Sequence, residues 1–582
     1  MNQDRLDRRY ISEYTAGKLR SVHPLYRYTI VGIFGLVLFF LNLGGWDLWD
    51  PDEPRYAQIA REVRERGEWI LPHLNGMVYA EKPPLVFWLT ALSQKIFNKD
   101  SAFSNRFPSA VAALLTTLVI CWFGTRLFNE RAGLFAALVL ATNAESFWLA
   151  HRVNLDTMLT LWITAAMAAM YTGLVDSRSR LIAFSAAGIC AGLGFLTKLY
   201  IACAVPGLTL AAYLLASRQF EVLKDRRLWL GLILFLVTIS AWLIPAFQEG
   251  GAGYLSQLLY HRTATRLLEA TAHASPFYYY LKNFPENFLP WFIFFPSALV
   301  LLLRSHWRKN PSAMYVLAWF VAGFIFFSLA KGKRSLYLLP LYPAASLMVG
   351  FLWDRYCSYP GSMLFKKLVR VPFYCMAGAL VIASIAAPLV VQHRLDLSLS
   401  TIALMALPFV IATVSGAAYI HHHDKRPERV FYGLTAMIVT GLLFAVLVVF
   451  PAMNSRESAK LFGEKVASVA GSPCRLAFFR LDEPTFLYYT GFIGIRQLTD
   501  VSELELVFRS SEQSFCIVKN KTFQEIKREF SVPIAVIFSE KVRGREYVLI
   551  SNRAPEDRTA SPLTTEKEIA VPSISKDEVI ER

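Results

Sequence analysis

Four carboxylates fall within seven positions of the stretch Trp46-Asp47-Leu48-Trp49-Asp50-Pro51-Asp52-Glu53-Pro54-Arg55-Tyr56. Acids gathered in this way can accept a proton, orient a substrate or steady a developing positive charge. Asp52 and Glu53 also open a helical stretch over 55–66, where acids suit the positive end of a helix. A capped interfacial helix with aromatic anchors therefore accounts for the same residues. A second piece, Tyr79-Ala80-Glu81-Lys82-Pro83-Pro84, sets an acid beside a base; alone it is a surface pair of little weight. A third, His151-Arg152-Val153-Asn154-Leu155-Asp156, brings an acid that either caps the next helix or faces the same cavity as Asp52. A fourth contains Tyr260, His261, Arg262 and Arg266. The fifth, Lys331-Gly332-Lys333-Arg334, is followed by Tyr337 and by Leu339-Pro340-Leu341-Tyr342-Pro343. Its three cations suit a phosphate, with Arg as bidentate partner and Lys as point charge.

These pieces need a scaffold that brings them to one side. Of the 582 residues, 54% are hydrophobic and 14% aromatic, and mean hydropathy is +0.37. Long apolar runs joined by short basic connectors mark a membrane protein. The net charge of +16 resides in those connectors, which is what membrane insertion uses and not a nucleic-acid surface. The first apolar run follows a charged N-terminus, carries no small-residue cleavage site and reads as an anchor. Thirteen runs are expected to span, near 27–45, 106–127, 132–150, 155–175, 181–196, 200–216, 228–247, 288–304, 312–329, 336–353, 371–391, 401–420 and 430–450.

A fourteenth apolar segment, 84–97, is short and holds Ser93, Gln94 and Lys95. Charge decides how it lies. If it rests flat in the interface and the N-terminus is cytoplasmic, the inside connectors carry Arg126 and Arg131, Arg178 and Arg180, Lys224 to Arg227, and Lys366 to Arg370. The positive-inside rule is then obeyed throughout; if the segment spans, all of them fall outside. With the flat arrangement, 46–105 forms one long outside loop. Connectors 151–156, 248–287 and 331–334 share its side. Cations placed there against the bias are a functional signal. The run His421-His422-His423 lies inside and reads as a solvated connector.

Beyond 450, strand-like runs at 475–479, 495–498, 515–518 and 534–538 alternate with helical stretches, as in a small α/β domain closed by a hairpin through Arg543-Gly544. Cys474 and Cys516 in this domain are either a disulfide or two unpaired core thiols. From about 554 the chain is polar without an apolar period and is expected to be disordered.

At this point the motifs resemble those of a known family, the GT-C glycosyltransferases that use polyprenyl-phosphate sugars, a superfamily that includes the protein O-mannosyltransferases. Within it the chain looks like the ArnT-type lipid A aminoarabinose transferases, over essentially its whole length to about 553. The acidic motif at 52–56, Glu81-Lys82-Pro83, Asp156, the pair His261 and Arg266, and 331–334 with Tyr337 carry the likeness. It implies a polytopic α-helical membrane protein of GT-C fold with about thirteen spans over 1–450. A periplasmic α/β domain over 451–553 and a tail over 554–582 would follow. Asp52, Asp156 and Lys82 would then be catalytic. Glu53, Arg55, Tyr56, Tyr79, Arg266, Lys331, Lys333, Arg334 and Tyr337 would bind substrate or lipid phosphate. Glu81 and His261 could hold a divalent cation (Mg, Mn or Zn), although two ligands are too few to define a metal site. The implied activity is inverting transfer of 4-amino-4-deoxy-L-arabinose from undecaprenyl phosphate to a lipid A phosphate, at the periplasmic face of the bacterial inner membrane. Resistance to cationic antimicrobial peptides and polymyxin would follow. Partners would be the lipid-linked donor, the lipid A acceptor and membrane lipids. Another sugar, such as mannose or galactosamine, passed to protein, lipopolysaccharide core or another glycan, is the alternative. A transporter would show broken helices and polar residues near the midplane; here the polar residues gather at the outer rim.

Overall fold

The computed structural model describes residues 24–261, 274–304, 310–360, 362–395, 399–423, 425–481 and 484–553. The tail expected to be disordered lies outside them. The chain forms two compact units. Among the described residues, the first runs to Val469 and also takes in 484–494 and Val542–Gly544; the second comprises 470–481, Ile495–Lys541 and 545–553.

The first unit is helical. Eight of its described helices are long and apolar enough to cross a membrane, or ten if two bent pairs each count as one span. This corrects the expected thirteen. Pro24–Phe40 and Ile201–Ser217 have 17 residues each and rise about 26 Å, short of a bilayer core of about 30 Å. The run at 132–150 breaks into Glu130–Ala141 and Ala144–Ala150, bent by 64°, because Asn143 stops one helix and caps the next through Ser146 N at 2.9 Å. Tyr279–Asn287 and Trp291–Arg304 meet at 111°, with Pro290 between them. Leu399–His422, several of whose side chains lie outside the described residues, does not enter the count.

The 46–105 loop holds two helices. Asp52–Arg66 carries Asp52 and Glu53 in its first turn and ends at Gly67, whose φ of 72° is the left-handed conformation that glycine adopts without strain. A two-stranded hairpin follows, β1 His73–Leu74 with β2 Met77–Val78. Leu85–Ile96 has 12 residues and rises about 18 Å, too little to cross a bilayer. Ser101 and Ser104 form a capping box that starts Ala102–Leu127.

One buried ion pair ties this loop to the helices. Glu53 and Arg106 are both fully buried. Arg106 Nε donates to Glu53 Oε1 at 2.8 Å and Nη2 to Oε2 at 3.1 Å. The same guanidinium donates to the carbonyls of Leu43, Trp46 and Asp47 at 3.1, 3.0 and 2.7 Å. Glu53 also accepts from Trp49 N and Val153 N, each at 3.0 Å, and Arg152 approaches to 3.4 Å. Burial alone would raise the Glu53 pKa, but Arg106 and Arg152 outweigh it and hold the carboxyl below its ordinary value.

The second unit is built on a mixed five-stranded sheet of order β4-β3-β5-β7-β6. Its strands are β3 Leu476–Phe479, β4 Arg496–Leu498, β5 Phe515–Lys519, β6 Ala535–Val542 and β7 Arg545–Ser551. β3 runs parallel to β4 and β5, and β7 antiparallel to β5. Arg543 and Gly544 join β6 to β7 with φ of 52° and 76°, as a two-residue type I′ turn requires. Cys474 and Cys516 are unpaired: Cys516 is buried opposite Ala477, whereas Cys474 is exposed ahead of β3.

Arg106→Met takes from buried Glu53 its bidentate partner and leaves Arg152 at 3.4 Å; it should cost up to about 3–5 kcal/mol, read as a large fall in Tm of the detergent-solubilised protein. The depressed Glu53 pKa also fixes a pH dependence. Its stabilisation is fully present above the ordinary glutamate value of 4.5 and is lost as pH falls through the lower folded value. Thermal melts below that pH should show a steeper loss for the wild type than for Glu53→Gln.

Candidate active site

At the outer ends of these helices lies a cavity of about 510 Å³. Its lining includes Asp50, Asp52, Arg55, Tyr56, Tyr79, Glu81, Lys82, Arg152, Asp156, Lys198, Arg334 and Tyr337. Nine residues expected from the sequence are thus brought together: Asp52, Arg55, Tyr56, Tyr79, Glu81, Lys82, Asp156, Arg334 and Tyr337. They come from stretches far apart in the chain; Asp52 and Arg334, which are in contact, are 282 positions apart.

Local structure explains their placement. Asp52 is the first residue of its helix, so its side chain leaves the helix end toward the cavity. Tyr56 stands one turn further on and packs against Phe87 at 5.8 Å, which also meets Tyr79 at 6.0 Å. Asp156 does not cap the helix Leu155–Val175. Asn154 does so, accepting from Thr157 N at 2.8 Å, which leaves the Asp156 carboxylate to the cavity. There Lys198 Nζ meets Asp156 Oδ1 at 2.5 Å and sits 4.3 Å from the centre of the Tyr337 ring. On the other wall Arg334 Nη2 meets Asp52 Oδ2 at 2.9 Å.

The electrostatics follow from these contacts. Burial pulls the Arg334 pKa down, but Asp52 more than compensates and raises it, so the guanidinium stays charged. Tyr56 is held neutral: burial first, then Asp52, Tyr79 and Asp156, push its phenol well above the ordinary range. The cavity therefore offers fixed cations, carboxylates and a neutral hydroxyl donor. Such a set can bind a phosphate ester and stabilise charge on it as it leaves.

Three expected residues stand elsewhere. Glu53 is not on the cavity: both its oxygens are used by Arg106 and by backbone amides in the protein interior. Lys333 is also turned inward, donating to the carbonyls of Ser275 at 2.9 Å and of Ala330, and is not among the cavity-lining residues. Lys331 is exposed and does not line the cavity. The side chain of His261 and the whole of Arg266 lie outside the described residues. Among the described residues no three of His, Cys, Asp and Glu are grouped so as to hold a metal ion. Asp52 and Asp156 are each engaged by a cation instead. Of the two expected metal ligands, Glu81 lines the cavity and the His261 side chain lies outside the described residues.

Sequence reasoning missed Lys198, Asp50 and Arg152 as cavity residues. For Lys198 the signal was present: it ends the helix Arg180–Lys198 just past the expected span 181–196, on the outer side and against the positive-inside bias, as are Lys331, Lys333 and Arg334.

Comparisons with known proteins bear on the fold. The family model described as dolichyl-phosphate-mannose-protein mannosyltransferase matches residues 81–244. The chain is 34% identical over 334 residues to the undecaprenyl phosphate-alpha-4-amino-4-deoxy-L-arabinose arabinosyl transferase of Pectobacterium atrosepticum, covering 56% of this chain and 58% of that one. The protein of the same name from Photorhabdus laumondii is 31% identical over 371 residues, covering 63% and 66%. The match thus spans less than two thirds of the length of these curated relatives. The crystal structure of ArnT from Cupriavidus metallidurans bound to undecaprenyl phosphate superposes with a TM-score of 0.76 at 22% identity, covering 93% of this chain and 100% of that one. This chain therefore shares the fold of that structure, the GT-C fold expected from the sequence.

Proposed function

We propose that the protein is an inverting glycosyltransferase. It moves 4-amino-4-deoxy-L-arabinose from undecaprenyl phosphate to a lipid A phosphate, at the periplasmic face of the bacterial inner membrane. The observation that carries this reading is the cavity itself, in which Asp52 and Asp156 each stand against a cation beside further Arg and Lys side chains. The likeness to arabinosyl transferases that use an undecaprenyl-phosphate sugar supports the donor.

In this reading Arg334, Lys198, Arg55 and Lys82 meet the donor phosphate. Tyr56 donates a hydrogen bond from its neutral hydroxyl. The bond between the anomeric carbon and the donor phosphate oxygen breaks, and both electrons leave with undecaprenyl phosphate. The cations hold the charge that collects there. An acceptor phosphate oxygen forms the new bond from the opposite face, which inverts the anomeric centre. That oxygen is already anionic, so no base is needed. Asp52 then orients the acceptor or steadies positive charge on the sugar.

The match to the protein mannosyltransferase model favours a second reading, transfer of a hexose to a hydroxyl acceptor, in which Asp52 would remove the hydroxyl proton. Mass spectrometry of lipid A from cells with and without the protein separates the two. A pentosamine increment supports the first; unchanged lipid A together with loss of a glycan elsewhere selects the second.

Asp52→Asn should lower transfer by roughly 10²-fold or more while the protein still inserts in the membrane and binds undecaprenyl phosphate; full activity would remove Asp52 from the site. Lys198→Met deletes a charge-assisted contact worth about 1.5–3 kcal/mol. A corresponding loss of kcat/KM for the donor should appear in assays with purified protein and lipid-linked sugar.

A further inference from the structure

The loop that carries the reactive acids is held from two sides. Glu53 and Arg106 hold it from the interior. From the other side come residues far along the chain that fold with the first unit. Thr485 Oγ1 donates to Asp50 Oδ1 at 2.7 Å, and Arg543 Nη1 meets Asp50 Oδ2 at 2.6 Å. Tyr489 donates its hydroxyl to the Leu48 carbonyl at 2.8 Å. Arg543 is itself anchored, its Nε to Glu457 Oε2 at 3.1 Å and its backbone N to the Arg456 carbonyl at 3.1 Å.

Both carboxylate oxygens of Asp50 are therefore occupied by Thr485 and Arg543. Asp50 lines the cavity and stands two residues before Asp52. We infer that Arg543 and Thr485 are positioning residues for the sugar-transfer reaction, fixing Asp50 and through it the pose of Asp52 in the cavity. The inference rests on the functional reading above.

Magnitudes decide where the effect should appear. The Arg543 side chain is 37% exposed, and an ion pair so close to solvent contributes at most about 1 kcal/mol to stability. Displacing a reacting group by about 1 Å can cost roughly 10²-fold in rate. The latch should therefore act on turnover far more than on folding.

Arg543 offers a variant that separates the two. Its φ of 52° lies in the left-handed region that asparagine tolerates, and Asn-Gly is the favoured type I′ turn. Arg543→Asn thus keeps the hairpin and deletes the guanidinium. Purified full-length protein should show kcat lowered about 10-fold or more, with donor KM within about twofold and Tm essentially that of the wild type. Arg543→Lys should recover part of the rate, and Thr485→Val combined with Arg543→Asn should be slower than either alone. Hydrogen–deuterium exchange across 46–52 should rise in Arg543→Asn. Unchanged kcat in Arg543→Asn, or a loss of rate that tracks a fall in Tm, would overturn the inference. If the wild type fails to transfer aminoarabinose, the functional reading falls. The exchange measurement then still judges the latch: unaltered exchange across 46–52 would overturn it on its own.

Discussion

The Glu53–Arg106 pair is the contact on which the outer half of the membrane unit depends. A carboxylate and a guanidinium, both without solvent, are tolerated only when nearly every lone pair and N–H finds a partner. Here those partners are backbone groups at positions 43, 46, 47, 49 and 153. The requirement to satisfy one buried charge pair therefore fixes the path of the chain on both sides of Asp52 and the turn that leads to Asp156. The placement of Asp52 and Asp156 on the cavity is a by-product of solvation by protein.

The bends in the helical unit follow a similar logic. A straight helix through 130–150 would carry Asn143 in its interior. Instead the break lets Asn143 cap a short second helix and donate to the carbonyls of Asn287 and Leu289. Elsewhere in the unit helices approach closely: a methyl added at Gly124 would lie 2.7 Å from the Gly133 Cα. Tight packing of that kind keeps the cavity walls from shifting as charges on them change.

Much of this was legible in the sequence. Asp52, Glu81, Lys82, Asp156 and Arg334 stand in short motifs whose residue types betray their chemistry, and the charge of the connectors placed them on one side. The strands and the hairpin of the second unit were legible from alternation and from Arg543-Gly544. Glu53 was misassigned because neighbouring acids on a helix point about 100° apart, and nothing local says which turns inward. That choice is made by Arg106, which is 53 positions away. Lys333 was misread for a similar reason: one of its carbonyl partners, that of Ser275, is 58 positions away, and a backbone carbonyl carries no signature in residue type. The span count was overestimated because an apolar window registers neither a 17-residue helix that stops short nor a bend at Asn143 or Pro290.

The pairing of Arg334 with Asp52 and of Lys198 with Asp156 gives the cavity its own internal counter-ions. On the proposed function, a phosphate drawn to either cation would compete with the carboxylate already there, so that seating the ligand would loosen the hold on Asp52 or Asp156. Arrival of the anion and release of the acid would then be coupled.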